Sequence, residues 1–223
     1  MSEEVKPRVL PIYFVADESG SMSGFVEMLN DGLRSLYDAM QGEPLAASKV
    51  RFSVIGFSDE AMEHLSLARL TDIEREEMPK LHALNSTSYL RLFEDMATRI
   101  PRDVAALKVD HLVHRPALFF LTDGMPNAEA WETSYERVKA LREAPNVLAF
   151  GVHGADSGVL RRLATRPEWA FIAEEGADTG QALVQFMVAL TQSVVTSAQA
   201  IAAGGGELVV TRPDSFRIAA PLV

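Results

Sequence analysis

The sequence predicts an α/β protein with a mostly parallel central sheet, one antiparallel edge strand, and helices on both faces. Three observations carry that expectation. Four apolar runs, Val9–Val15, Val50–Phe57, Ala117–Thr122 and Val147–Val152, have the length and the β-branched or aromatic content of buried strands. Segments with apolar residues at helical spacing separate them, and alternating strands and helices build parallel sheets covered on both sides. Two runs stop at a carboxylate, Asp17 and Asp123, and open α/β sheets place their sites at such strand ends.

Taken in order, residues 1–8 read as a flexible tail and 9–203 as one domain. The opening stretch VLPIYFVADESGSMSG is a buried strand running into a hydroxyl-rich turn. Phe25, Met28, Leu29, Leu33, Leu36, Tyr37 and Met40 then form one helical stripe, with Ser23 as candidate N-cap and Gly42 as terminator. VRFSVIGF is the second strand, and the short Ser58-Asp59-Glu60 turn makes Met62–Leu70 its antiparallel hairpin partner. Residues 71–86 read as a loop with one helical turn. Tyr89, Phe93, Met96 and Ile100 mark a helix closed by Pro101, and 102–114 a connection with a short amphipathic helix.

After the strand ALFFLT, the stripe Trp131, Tyr135, Val138, Leu141 is a helix, VLAFGV a strand, Val159–Ala164 a short helix and Trp169–Ala173 a last strand. Asp178 with Gln181 three residues on resembles a capping box for a long final helix through Leu183, Phe186, Met187, Leu190, Val194, Ala198 and Ile201. Gly204-Gly205-Gly206 breaks the chain, and 204–223 reads as an extended C-terminal tail. No internal repeat and no low-complexity tract is found.

Composition narrows the function classes. With 223 residues, 48% hydrophobic and 23% charged, the chain has the profile of a soluble globular domain. The absence of cysteine excludes disulfides, thiolate zinc sites and a Cys nucleophile. The polar N-terminus lacks the apolar core of a signal peptide, and no uninterrupted apolar stretch of spanning length is seen, so a cytoplasmic location is expected. A net charge of −10 argues against nucleic-acid or acidic-membrane partners.

Three loops share the carboxyl-terminal edge of the expected sheet. They are Asp17-Glu18-Ser19-Gly20-Ser21, Asn85-Ser86-Thr87-Ser88-Tyr89 and Thr122-Asp123-Gly124. Together they offer hydroxyls and two carboxylates, an oxygen set that suits a hard cation such as Mg²⁺ rather than zinc. Read alone, Ser-Gly-Ser is equally a polar strand-to-helix turn.

Asp17-x-Ser19-x-Ser21, then Thr87, then Thr-Asp-Gly after an apolar strand, resembles the metal-ion-dependent adhesion site of von Willebrand factor A (vWA) domains. The resemblance covers about 9–200. Within that family DESGSMSG, NSTSYLRLF and FFLTDGMPNAEAW look most similar to bacterial TerY-type proteins of tellurium-resistance and stress operons. It implies a Rossmann-like vWA fold and a bound Mg²⁺ or Mn²⁺. Ser19, Ser21 and Thr87 would be direct ligands, and Asp17 and Asp123 would act largely through bound water. The approach to Thr87 lacks the glycines usual in the family, so Ser88 rivals it. Met22, Ser23, Gly24 and Phe25 supply no extra carboxylates for a neighbouring calcium. The implied function is metal-dependent capture of an Asp or Glu from a protein partner, with an operon-linked kinase or phosphatase as the partners that the resemblance suggests.

Other candidates weigh less. Ser19 stands where an Asp-nucleophile phosphatase has its second Asp, and no Gly-x-Ser-x-Gly elbow, Walker A or GxGxxG sequence is present, so no enzymatic role is expected. Asp110, His111 and His114 read as a solvated turn rather than a metal site, and His153 as structural. Glu18 is a candidate base, or points to solvent or shapes the loop. Asp72–Glu77 reads as a solvated helix face, and Trp131 as core or rim unless exposed as a partner anchor. The alternative function is an accessory subunit of an ATPase- or chelatase-type machine, which asks for an ATPase region or an acidic, proline-bearing linker that the sequence lacks. A third is a vestigial site on a scaffold.

Overall fold

The computed structural model describes residues 6–84, 86–127, 130–206 and 208–219. Its strands are β1 (Arg8–Asp17), β2 (Val50–Phe57), β3 (Ala61–Ala68), β4 (Leu112–Val113), β5 (Ala117–Thr122), β6 (Asn146–Gly151), β7 (Ala170–Ala173) and β8 (Phe216–Ile218). Its helices are α1 (Val26–Gln41), α2 (Pro44–Ala47), α3 (Tyr89–Lys108), α4 (Trp131–Lys139), α5 (Ser157–Leu163) and α6 (Thr179–Ala202). The sheet order is β3-β2-β1-β5-β6-β7-β8, with β4 pairing beside the start of β1. Strands β2, β1, β5, β6 and β7 are mutually parallel. The hairpin partner β3 is antiparallel, as expected, and β8 adds a second antiparallel strand at the opposite edge.

Alternation along β1 sorts the core into two layers. Leu10, Ile12, Phe14 and Ala16 face α1 and α6, whereas Tyr13 and Val15 face α3, α4 and α5. In the first layer Phe150 is the hub, its ring centroid 4.8 Å from both Phe171 and Phe186 and 6.0 Å from Phe216. Helices α1 and α6 approach closely at Gly32, where a Cβ would sit 2.4 Å from Met187 Cγ. The second layer is aromatic, with Tyr89, Phe93, Phe120, Trp131 and Tyr135 joined by edge, stacked and tilted ring contacts.

Several expectations are corrected. Helix α3 does not close at Pro101 but runs on to Lys108. Ile100 and Val104 lie buried on one face across the proline, and that burial outweighs the lost backbone hydrogen bond. Ser23 does not cap α1: Gly20–Gly24 form a 3₁₀ turn and Phe25 stands at the N-cap. The acidic run holds short 3₁₀ turns rather than a helix face, and Arg75 reaches from it to grip both oxygens of Asp38 at 3.0 Å.

Helix α6 is long and apolar enough to cross a membrane by length and composition, although Gln185, Thr191, Gln192 and Ser193 interrupt its apolar run and half of its most apolar window is buried in the fold. Its row Leu183, Phe186, Leu190, Val194 lies in the core. Residues 208–219 run back along α6. The Val209 and Thr211 amides donate to Ser197 and Ser193, and the Ser215 amide donates to Gln185 Oε1 at 2.8 Å. Phe216 then enters the core beneath the β7–β8 pair at 1% exposure.

That anchoring has a measurable consequence. Phe216→Ala should cost about 3–5 kcal/mol in urea unfolding, the range for deleting a buried aromatic ring. A loss below about 1 kcal/mol would show that β8 is not built into the core.

Candidate metal centre

Strands β1 and β5 lie side by side with Ala16 opposite Leu121, so Asp17 and the Thr122-Asp123 pair emerge together at the carboxyl-terminal edge. Both carboxylates are buried, Asp17 at 1% and Asp123 at 3% exposure. Asp17 Oδ1 accepts from the Ser19 amide at 2.9 Å, and its Oδ2 accepts from the Thr122 hydroxyl at 2.6 Å. Thr122 Oγ1 accepts in turn from the Tyr89 hydroxyl and the Gly124 amide, each at 3.1 Å. Burial pushes the Asp17 carboxyl above the usual carboxylate range, against these hydrogen bonds and with the help of nearby Asp123.

The 3₁₀ turn after β1 presents the serines. Met22, fully buried, pins that turn to the first core layer. Ser21 Oγ donates to Asp123 Oδ1 at 2.9 Å, Ser19 Oγ lies 3.1 Å from Ser21 Oγ, and Ser19 Oγ lies 3.5 Å from the same Asp123 oxygen. Neighbouring oxygens of an octahedral Mg²⁺ shell stand about 2.9 Å apart, given metal–oxygen distances of about 2.0–2.1 Å. The triangle therefore has the spacing of part of such a shell. Asp123 Oδ2 is buried with no hydrogen-bond partner among the described residues. None of the influences on Asp17 is a basic side chain. Two buried carboxylates without a counter-charge, one with an orphaned oxygen, fit a cation site. Among the described residues no cluster of three or more His, Cys, Asp or Glu is placed to hold a metal, so such a site depends on its hydroxyls.

Thr87 and Ser88 lie on the segment that enters α3. Ser88 is buried; its hydroxyl accepts from the Arg91 amide at 3.3 Å as the helix N-cap, and its amide donates to Ser58 O at 2.6 Å. Thr87 is half-buried, and its carbonyl accepts from the Asn127 amide at 3.5 Å. Among the described residues no hydrogen bond joins the Thr87 side chain to the serine–Asp123 triangle. Asn85, Ala128 and Glu129, which belong to the quoted loop motifs, lie outside the described residues.

The other candidates fall elsewhere. His111 Nε2 lies 3.0 Å from Arg51 Nη2, and His114 follows β4, where burial, reinforced by Arg8, lowers its pKa. His153 adopts φ +52° in the loop after β6. Trp131 is buried at 3% and belongs to the aromatic layer, so it is core and not an exposed anchor. Glu18 does not point to solvent: it is 1% exposed and bonded into the fold. The sequence reading missed Thr122 as the residue that orients Asp17, and Asn30, a buried amide that bonds the backbone of Leu81 in both directions. A polar residue inside the apolar stripe of α1 was the available signal for Asn30.

The sequence profile of the von Willebrand factor type A domain matches residues 12–186. Comparison with curated proteins returned no match. Among solved structures, proximal thread matrix protein 1 of the mussel byssus is similar at 17% identity and TM-score 0.64, over 85% of this chain and 49% of that one. A form of the same protein described with a zinc-occupied MIDAS motif gives 19% identity and TM-score 0.62, over 86% and 46%. A von Willebrand factor type A protein from Catenulispora acidiphila gives 15% identity and TM-score 0.57, over 84% and 43%. The present chain thus spans less than half the length of each of these proteins, and at such identities the likeness speaks for the fold. Profile and topology agree: the chain belongs to the von Willebrand factor type A domain family.

Proposed function

We propose that this domain is a metal-dependent protein-interaction module that captures an acidic side chain of a partner, without turnover of its own. One observation carries the reading: two buried, uncompensated carboxylates converge with two serine hydroxyls on one sheet edge. Ser19, Ser21 and Thr87 are the proposed direct ligands, and Asp17 and Asp123 supply the charge around them. Mg²⁺ or Mn²⁺ suits this oxygen set, and the zinc-occupied MIDAS motif of the mussel protein supports a divalent ion in a motif of this kind. Held mainly by neutral hydroxyls, such an ion supplies a Lewis-acidic positive point that a carboxylate can ligate.

The chain's own residues do the rest. Thr122 and the Ser19 amide fix the Asp17 carboxylate, and buried Met22 fixes the serine turn. The wording of DESGSMSG, NSTSYLRLF and FFLTDGMPNAEAW supports a TerY-type placement in a cytoplasmic stress or tellurium-resistance system, with an operon-linked kinase or phosphatase as candidate partner.

Three outcomes test the reading. By titration calorimetry the protein should bind one Mg²⁺ or Mn²⁺, and Asp17→Ala should abolish binding; undiminished binding in the variant would place the ion elsewhere. The second outcome concerns pH. The raised Asp17 pKa means that the metal-free fold is favoured while Asp17 is protonated and loses that contribution as pH rises through the raised value. The metal-bound fold needs the carboxylate, so the gap in Tm between Mg²⁺ and EDTA should widen as pH rises through that value. A gap independent of pH would refute coupling between Asp17 and the metal. Third, partners isolated from native cells in Mg²⁺ should be released by EDTA and lost with Thr87→Ala. A partner retained in EDTA would contradict the mechanism.

A further inference from the structure

Glu18 lies between Asp17 and Ser19, yet its side chain takes no part in the oxygen triangle. It turns the other way, under β2 and β3, and is 1% exposed. Its Oε1 accepts from the His82 amide at 2.6 Å, and its Oε2 lies 3.0 Å from His64 Nε2 on β3. The Glu18 backbone is equally engaged: its amide donates to Phe57 O at 2.9 Å, and its carbonyl accepts from the Leu84 amide at 2.6 Å. The neighbouring strand is shaped to admit the carboxylate. A Cβ at Gly56 would stand 1.8 Å from Glu18 Oε2 and 2.6 Å from His64 Nε2.

A buried carboxylate is costly, and among the described residues this one bonds His64 and His82 rather than the serine–Asp123 oxygens. What it does is tie the segment that leads to Thr87. That segment is held at Leu81 by Asn30 of α1, at His82 and Leu84 by Glu18, and at Ser88 by Ser58 at the end of β2. The Glu18 anchors lie five and three residues before Thr87, and Glu18 itself is covalently next to Ser19 and Asp17. One residue therefore joins the loop bearing the serine hydroxyls to the loop bearing the threonine hydroxyl.

We propose that Glu18 is a positioning residue for the metal site. It fixes the Thr87 segment in register with Ser19 and Ser21, and His64 on the edge strand holds its carboxylate in place. The proposal rests on the metal-binding reading above and deepens it. Side chains that orient a metal's ligands without touching the ion are worth about 10–100-fold in affinity.

The test is a double-mutant cycle read by Mn²⁺ titration. Glu18→Ala should weaken Mn²⁺ binding by about 10–100-fold and speed amide hydrogen exchange at His82, whose acceptor is the deleted carboxylate. Glu18→Gln, whose amide oxygen can still accept from His82, should recover most of the affinity. In a Thr87→Ala background, Glu18→Ala should cost little further, because its effect passes through Thr87. Full additivity of the two losses would overturn the positioning role, as would unchanged affinity in Glu18→Ala. Should Glu18→Ala fail to fold, His64→Ala enters the same cycle and is expected to show the same non-additivity. Absence of Mn²⁺ binding by the unmutated protein would overturn the metal reading and this proposal together. Additivity alongside normal binding overturns the positioning role alone.

Discussion

The structure depends on one arrangement: a carboxylate, Asp17, held buried at the end of a central strand. Water cannot solvate it there, so the fold supplies substitutes, the Ser19 amide on one oxygen and the Thr122 hydroxyl on the other. Each donor exists only because a larger element is in place. The Ser19 amide points inward because the next turn is 3₁₀ and pinned by Met22. Thr122 reaches Asp17 because β1 and β5 are parallel neighbours in a fixed register. Its hydroxyl is oriented by Tyr89, which opens α3 and belongs to the second core layer. A local polar contact is thereby tied to the packing of both faces of the sheet.

The chemistry of the edge follows from what is not neutralised. Among the described residues Asp17 meets hydrogen-bond donors but no basic side chain, and Asp123 meets two serine hydroxyls on one oxygen and nothing on the other. The chain carries a net charge of −10, so acidic partners meet general repulsion, which salt screens within about 8 Å at physiological ionic strength. The proposed dication at this edge would change the sign at one point only. Under the proposed function, selectivity would come from geometry at that point rather than from the charge of the whole surface.

Much of this was legible in the sequence because parallel strands buried on both faces write themselves as continuous apolar runs. The second strand and ALFFLT have the bounds expected, Asp17 closes the first strand, and Asp123 follows ALFFLT directly. The order of the site loops was equally readable, since strand ends of a parallel sheet share one edge. What escaped the sequence was decided by tertiary contact. Pro101 sits inside a helix because Ile100 and Val104 are buried on either side of it. Glu18 is as polar as any loop residue, and only the bare backbone of Gly56 on a neighbouring strand makes room for it. Strand β8 is three residues long and follows a glycine run, so its single buried ring, Phe216, was too short a signal to read. Thr87 and Ser88 are alike in sequence, and only the fold shows that the Ser88 hydroxyl caps α3.

The sheet order also sets a timetable. Strand β1 lies between β2 and β5, and the contact between Ser21 and Asp123 spans 102 residues. The first half of the site is therefore made long before the second exists, and β1 must wait for β5 to be synthesised and crossed over before its inner edge is paired. Such long-range parallel pairing is slow, because loop closure comes before its reward. A nascent chain released short of Asp123 would carry an exposed β1 edge and an incomplete set of oxygens. Binding of the proposed cation would thus report that the central strands have closed in the right order.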